Sequence, residues 1–589
     1  MAETLISPGV LARENDQSFI GSRPVSFGAA IIGAAVKGPV GIPTAVSSFS
    51  QYEAIFGGAV ESGSQYYTYL NSVAARNYFA NGGESLLVTR VVSGSFSSAF
   101  TSGSEAGPNG SGIMANAWQD ATATQYQKQS FVLKTISEGE IMNSSGSLNA
   151  SGSLVSGSAD NLRWEISSVN TSSGQFNLLI RRGNDVTNQK AILETYNNLS
   201  MDPTAPNYIS KAIGDTYYSV EQDGTDFYVK TNGNYVNRSA YVYVSAVNTP
   251  TPNYFDNDGI AKNAFTGSLP LVGSGSFNGA SGKNVYPGSN AALFNENIAA
   301  NNTQGIQAAN YTSSIDLLSN KDDYQFNVIS APGLIASLYP VATNKLVTLA
   351  ESRTDCIAVI DLVPYNSTVG TITGQASGYD SSYAATYWPW LQTVDAGTGQ
   401  TVWAPASTYI PGVYAFTDAS SDPWFAPAGL IRGALGSVIR AERKLTSGNR
   451  DTLYEANVNP IATFPGSGVV VFGQKTLQKR ASALDRVNVR RLLIALKSYI
   501  VQVSDNLVFE QNTNATRNAF LAQVNPYLES VQQRQGLYAF KVVMDASNNT
   551  PDVIDRNELV GQIYLQPTKT AEFVILDFNV LPTGATFPE

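Results

Sequence analysis

Two stretches of this chain are apolar on both faces, and they limit its architecture more than any other feature. Ala29–Ala30–Ile31–Ile32–Gly33–Ala34–Ala35 ends at the breakers Lys37–Gly38–Pro39–Val40–Gly41, and Asp355–Cys356–Ile357–Ala358–Val359–Ile360–Asp361–Leu362 is nearly continuous. Neither alternates polar with apolar residues, as a strand with one wet face does. Short runs of this kind are strands buried on both sides, which occur where helices cover a parallel sheet. The flanking pattern agrees. Phe49 to Phe56 reads as a short helix closed by Gly57–Gly58, and Tyr66 to Phe79 as a longer one capped at Asn81–Gly82–Gly83. Ser85 to Val92 then reads as a strand. Further on, Phe326–Ile329 leads to a turn at Pro332–Gly333, and Pro340 to Glu351 is a crossover helix with its proline in the first turn. The expected class is α/β, with a mixed or parallel sheet.

Between these regions the composition changes. Ser93–Gly112, Asn143–Asp160 and Thr249–Asn302 are loose Ser-, Gly- and Asn-rich tracts around β-like runs at Phe131–Ile136, Leu162–Ile166 and Phe176–Ile180. The expected division is an arm over 1–20, a core over 21–93, and one or two inserted β-rich domains over 94–320. A second part of the core follows over 321–455, an α+β C-terminal domain over 456–570, and a strand or arm over 571–589. The C-terminal region reads as strand, basic amphipathic helix (Leu484–Phe509), polar loop and strand. A last alternating strand follows, Glu572 to Val580, with no later run to pair with. Such a strand is expected to join an earlier strand or another molecule.

Composition restricts the chemistry. Among 589 residues there is no histidine, one cysteine, 14% charged residues and a net charge of -10. Without imidazole there is no Ser-His-Asp or Cys-His pair, no histidine-ligated zinc and no base naturally poised near neutral pH. The acidic balance argues against general nucleic-acid binding. A single cysteine excludes an intrachain disulfide, and Cys356 reads as a small buried hydrophobe. With no signal-peptide pattern and no apolar run of membrane-spanning length, the chain is expected to be soluble and made in a cytoplasm, without membrane insertion.

Candidate motifs have simpler readings. Gly279–Ala280–Ser281–Gly282–Lys283–Asn284 is a poor phosphate loop, with its first glycine misplaced and Asn284 where a hydroxyl is needed. Asp355 with Asp361, and Asp552, Asp555 and Glu558, suit strand ends and loop caps better than an acid–base pair. Asp545–Pro551 reads as a turn without calcium-loop spacing. No metal or cofactor is expected. In the basic helix, Leu492, Leu493, Leu496, Ile500, Val503 and Leu507 form one apolar stripe, and Arg486, Arg490 and Arg491 form a cationic cluster.

Several segments, taken in order, resemble the contractile tail sheath proteins of bacteriophages. They are Ser7–Pro8–Gly9–Val10, Lys37–Gly38–Pro39, Ser382–Tyr383–Ala384–Ala385 with Tyr387–Trp388–Pro389–Trp390, and Pro411–Gly412–Val413–Tyr414–Ala415–Phe416–Thr417–Asp418 with Pro423–Trp424. They continue with Asn459–Pro460, Phe464–Pro465–Gly466–Ser467–Gly468, Asp485–Arg486–Val487–Asn488–Val489–Arg490–Arg491, Phe509–Glu510 and Val524–Asn525–Pro526–Tyr527–Leu528. The resemblance implies a subtilisin-like α/β core without catalytic residues, a small C-terminal domain and variable domains inserted outside. It further implies a helical homo-oligomer around a tail tube protein, bounded by baseplate and tail terminator proteins, that contracts to drive the tube through a host envelope. In such a sheath Arg486, Arg490 and Arg491 would face the tube. The arms, through Leu5, Ile6 and Val10 and through Phe573, Ile575 and Phe578, would add strands to neighbouring subunits. The sheath of a related bacteriocin or injection device, a secreted surface-layer protein or adhesin, and a modified hydrolase remain open at this point.

Overall fold

The computed structural model describes residues 27–62, 65–101, 113, 129–224, 226–282, 298 and 303–572. The arm residues Leu5, Ile6, Val10, Phe573, Ile575 and Phe578 lie outside the described residues.

Both apolar runs become central strands. The main sheet has eight strands, in the order Thr44–Val46, Leu86–Arg90, Phe27–Gly33, Phe326–Ile335, Ile357–Asp361, Ala384–Trp388, Asn459–Phe464 and Gly468–Val471. Its six middle strands are parallel, and one antiparallel strand closes each end. Ile31, Ile32, Val88, Ile329, Ile357 and Val359 are at most 1% exposed. Helices Leu70–Ala80 and Ile410–Ser420 pack as one pair, and Ala309–Leu317 and Pro340–Arg353 as another. Pro340 stands in the first turn of its helix, where its missing N–H would have had no partner. The large core reaches into residues 298–318, through Ile298, Ile306, Tyr311, Ile315 and Leu318.

Three local expectations change. Tyr66 to Thr68 is strand, paired in Gln65–Thr68 with Ala59–Ser62, and the helix begins only at Leu70. Tyrosines and threonine favour the pleated form once a partner strand is adjacent. The Pro332–Gly333 turn is a bulge inside the longer strand Phe326–Ile335, where the register shifts between Ser330 and Ile335. Gly333 takes φ +87° there, and a Cβ would meet Leu70 and Thr303 at 3.0 Å. The polar loop after the basic helix is instead the helix Asn514–Gln533, which carries Pro526 in its interior.

The β-rich insertion has its own core. A four-stranded antiparallel sheet (Ile192–Ser200, Gln175–Arg182, Leu162–Asn170, Gly273–Ser276) lies with a three-stranded one (Val242–Val247, Phe131–Glu138, Ser98–Phe100). Phe131 stacks on Phe176 with ring centroids 5.5 Å apart. Arg181, 1% exposed, is held by Asp185 and Glu165. Gly279 and Gly282 adopt positive φ against the rings of Phe100 and Phe96, so packing accounts for the glycines of the phosphate-loop-like run. Arg90 of the main sheet donates to the carbonyls of Gly38 and Glu138, joining insertion to core.

Asp361 does not sit at a solvated strand end. It is buried, its Oδ1 accepts from the Ser407 amide at 3.2 Å and its Oδ2 from the Ser407 hydroxyl, and it thereby fixes the turn Ala406–Thr408 against the sheet. Burial raises its pKa from 3.8 to about 6, against the lowering effect of those hydrogen bonds. The folded state therefore holds this proton more tightly than the unfolded state, so stability falls as pH rises from about 4 to about 6 and is flat above that. An Asp361→Asn variant keeps a carbonyl acceptor for the Ser407 amide and removes the titration. In chemical denaturation across pH, its stability relative to the parent should rise by roughly 2–3 kcal/mol between pH 4 and 7. A pH-independent difference would exclude Asp361 as the source.

Candidate joint between the core and the C-terminal region

The helix Val487–Asp505 carries the chain from the main sheet into the C-terminal region. An extended Arg486 (φ −114°, ψ 135°), bridged to Lys475, precedes it and starts the helix three residues later than its apolar period suggests. Two stripes emerge from the sequence of this helix. Leu492, Leu496 and Val503 are buried with Phe520, Val524, Leu528 and Val531 of Asn514–Gln533, with Leu493, Ile500 and Leu507 packed against them. Val487 and Ile494 belong instead to the large core. Steps of four and three residues put Val487, Arg491 and Ile494 on one face, toward the main sheet. The N-terminal half of the helix is thus covered on two sides, and its arginines stand in the seam.

Arg490 and Arg491 are 3% and 4% exposed. Arg490 donates through Nε to the Ser382 carbonyl at 3.2 Å and through Nη2 to its hydroxyl, with its guanidinium 3.9 Å from the Tyr383 ring centroid. Burial lowers its pKa. Arg491 Nη2 donates to both carboxylate oxygens of Asp418 at 2.6 Å and lies 4.6 Å from the Tyr414 ring centroid. Burial raises the Asp418 pKa while Arg491 opposes it. Tyr414 in turn shares a 2.8 Å hydroxyl contact with Tyr387. Both guanidiniums are enclosed by their own chain, so neither presents its charge outward as a tube-facing role requires. The periodicity of charge marked the cluster, but only packing on the second flank of the helix decides which way it points.

Arg486 is part of a second contact, where the chain leaves its last described residues. Thr568 is tied to the C-terminal unit through the carbonyls of Gln535 and Gly536. Two residues on, Thr570 accepts from Gln474 Nε2 at 2.7 Å. Glu572 accepts from Arg486 Nε at 2.7 Å, Tyr454 Oη at 2.7 Å and Gln474 Nε2 at 3.2 Å. Thr570 and Glu572 therefore grip the central region from alternate positions of the chain. Sequence reading left Tyr454, Gln474 and Thr570 out, since residues so far apart carry no shared spacing.

Beyond the joint lies a small antiparallel sheet, Leu537–Val543 with Gln562–Pro567. Its half-buried Phe540, Val542, Ile563 and Leu565 face the helices, while Lys541, Tyr564 and Gln566 are exposed. Among the described residues this sheet has two strands, and none of them pairs with either outer edge.

Much of the sheath-like pattern meets here. Ser382, Tyr383, Tyr414, Asp418, Trp424, Asn459, Arg486, Asn488, Arg490 and Arg491 are distant in sequence, yet they make this one seam. Asn488 donates to the Trp424 carbonyl at 3.2 Å, and Asn459 to the Thr386 carbonyl at 3.0 Å. No group of three or more His, Cys, Asp or Glu side chains suited to a metal occurs among the described residues, nor does a helix long and apolar enough to cross a membrane. The joint holds two folded units together and, among the described residues, leaves the small sheet with two strands.

Both sides of the joint match known protein families. Residues 304–477 match the phage tail sheath protein central domain, and residues 480–580 the phage tail sheath C-terminal domain. Together these two matches cover just under half of the chain, which over these regions is similar to the phage tail sheath family. It is 30% identical over 361 residues to the tail sheath protein of Vibrio phage KVP40, covering 57% of this chain and 51% of that one. To the tail sheath protein of Enterobacteria phage T4 it is 34% identical over 263 residues, covering 42% and 40%. The chain thus spans about half the length, or less, of these curated relatives. The crystal structure of a sheath tail protein from Listeria innocua shares the fold at a TM-score of 0.50 and 10% identity, over 92% of this chain and 96% of that one.

The seam makes a stability prediction. Arg491→Ala leaves the Asp418 carboxylate without its partner and should lower the unfolding free energy by about 2–3 kcal/mol in denaturant melts. Coupling to Asp418→Asn in a double-mutant cycle should recover most of that loss. Arg556→Ala, at an exposed pair with Glu558, should leave the melt unchanged.

Proposed function

We propose that this chain is a structural subunit of a contractile phage tail sheath, without catalytic activity. The observation that carries the reading is the open two-stranded sheet in the region matching the sheath C-terminal domain. Its edges suit strands contributed by residues 1–20 and 571–589 of neighbouring subunits. Backbone hydrogen bonds would supply affinity, and alternating side chains such as Phe573, Ile575 and Phe578 would supply register. Head-to-tail contacts that do not close then generate a helical polymer.

In this reading the polymer surrounds a tail tube protein between baseplate and tail terminator, in the virion tail, after synthesis in the host cytoplasm. The mostly parallel main sheet is consistent with a subtilisin-like core. Because that sheet includes Asn459–Phe464 and Gly468–Val471 and its core takes in residues 303–318, we take the second part of the core as about 303–478 rather than the expected 321–455. This shortens both the expected insertion over 94–320 and the expected C-terminal domain over 456–570. The absence of histidine leaves such a core no Ser-His-Asp triad. On triggering, the folded units rotate into larger mutual contacts while shared strands keep the lattice joined. A few kcal/mol per subunit suffices because many act together, and the extended form persists for kinetic reasons.

Negative-stain microscopy of the purified chain should give hollow tubes or striated polymers. Removing residues 1–20 or 573–589 should leave dispersed particles whose melting is unchanged. Truncated chains that still form and shorten filaments would refute strand donation. Flat lattices from the intact chain would favour a surface layer instead.

A further inference from the structure

The small sheet has a competitor for its open edge in its own chain. Past Pro567, a four-residue loop, Lys569–Glu572, is a common length for a hairpin. In that register Val574, Leu576 and Phe578 would stand opposite Pro567, Leu565 and Ile563. Each of those three strand residues is half-buried toward the helices. Phe573, Ile575, Asp577 and Asn579 would fall on the outer face. Sequence alternation therefore fits self-pairing as well as it fits donation, and a subunit closed in this way would have one edge fewer to offer.

The structure holds the chain in a different path. From Thr568, fixed to Gln535 and Gly536, the segment runs to Glu572 on the central region, where Arg486, Tyr454 and Gln474 hold the carboxylate and Gln474 also holds Thr570. Four extended residues cover at most about 14 Å. Residues 568–572 form neither a turn nor a bend, whereas the hairpin would need a turn over these same residues, so the two arrangements exclude each other. With the clamp closed, a return to the sheet would consume the first residues of Phe573–Val580 and destroy its register. The acceptor atoms lie in a partly buried site, with the Glu572 side chain 18% exposed and that of Arg486 25% exposed, where charge-assisted hydrogen bonds are strongest.

We propose that Glu572 is a positioning residue that keeps Phe573–Val580 off its own subunit's sheet and so directs it to the sheet of a second copy of this chain. This rests on the strand-donation reading above, and deepens it by naming what selects the neighbour over self.

The test places a photo-cross-linking benzoylphenylalanine at Ile575 in the full chain. Subunits of light and heavy isotope are mixed before assembly, and mass spectrometry then sorts cross-links to 537–543 or 562–567 as same-copy or mixed-copy. In the parent, mixed-isotope pairs should dominate. Adding Glu572→Ala should raise the ratio of same-copy to mixed-copy products about tenfold, the effect of losing a charge-assisted hydrogen-bond cluster. Tube length should fall while the melting midpoint stays put. The charge swap Arg486→Glu with Glu572→Arg should bring the ratio back toward the parent. If the parent is mixed-copy and Glu572→Ala leaves the ratio within about twofold, the clamp is overturned and donation stands. Parent cross-links that are same-copy, or that reach neither strand, overturn donation and the clamp together.

Discussion

Everything distal to residue 486 depends on burying two arginines between two hydrophobic cores. Desolvating a guanidinium costs several kcal/mol unless its hydrogen bonds are replaced and an opposite charge or aromatic face is near. Arg490 has the Ser382 oxygens and the Tyr383 ring, and Arg491 has Asp418 and the Tyr414 ring. These partners come from the strand region before Ala384–Trp388 and from helix Ile410–Ser420, so the helix carrying the arginines can dock in only one register. An apolar seam would permit sliding. A seam with fixed donors and planar acceptors does not.

The joint is also uneven along its length. Near its start the helix Val487–Asp505 is clamped to the main sheet. Farther on, a cleft of about 1140 Å³ separates Ala495, Ser498 and Gln502 from Gln325, Asn327 and Thr354, with Tyr499 stacked on Tyr527 at 3.8 Å along its wall. The C-terminal unit is tied to the central region at the arginine end, at Glu572, and also where Trp424 Nε1 donates to the Arg534 carbonyl and Arg534 pairs with Asp422. The arginine end and the Glu572 contact flank the chain's entry to the C-terminal unit and the last described residues after it.

How much of this was legible follows from which signals are local. The doubly buried strands at 29–35 and 355–362 were visible because burial on both faces leaves an uninterrupted apolar run. The helix at 340 was visible because proline has one favourable place in a helix. Asn514–Gln533 was not, since its stripe of Phe520, Val524, Leu528 and Val531 is narrow, its remaining surface is Asn and Gln, and Pro526 reads as a breaker. The Pro332–Gly333 pair was read as a turn because a bulge inside a central strand has the same local sequence. What distinguishes it is the crowding of Leu70 and Thr303, supplied from elsewhere in the chain. Arg486, Arg490 and Arg491 were picked out as a cluster but aimed outward. A helix with apolar residues on two flanks, Val487 and Ile494 as well as Leu492 and Leu496, already implied that charges between those flanks would be enclosed.

That enclosure changes what the chain's low charge means for assembly. Only 14% of residues are charged, and seven arginines, Arg490 and Arg491 among them, are buried, so surface charge is sparse for a chain of this size. In the proposed polymer, backbone pairing and shape, which are short-ranged and nearly indifferent to salt, would then carry more of the specificity between copies. Backbone pairing has a weakness of its own, because any exposed edge accepts any compatible strand, including one from the same chain. A polymer built on strand exchange therefore needs geometry to forbid the intramolecular solution, whose effective concentration would otherwise favour it. In the proposed polymer the Glu572 carboxylate, gripped by Tyr454, Gln474 and Arg486 rather than by residues of the small sheet, would supply that geometry.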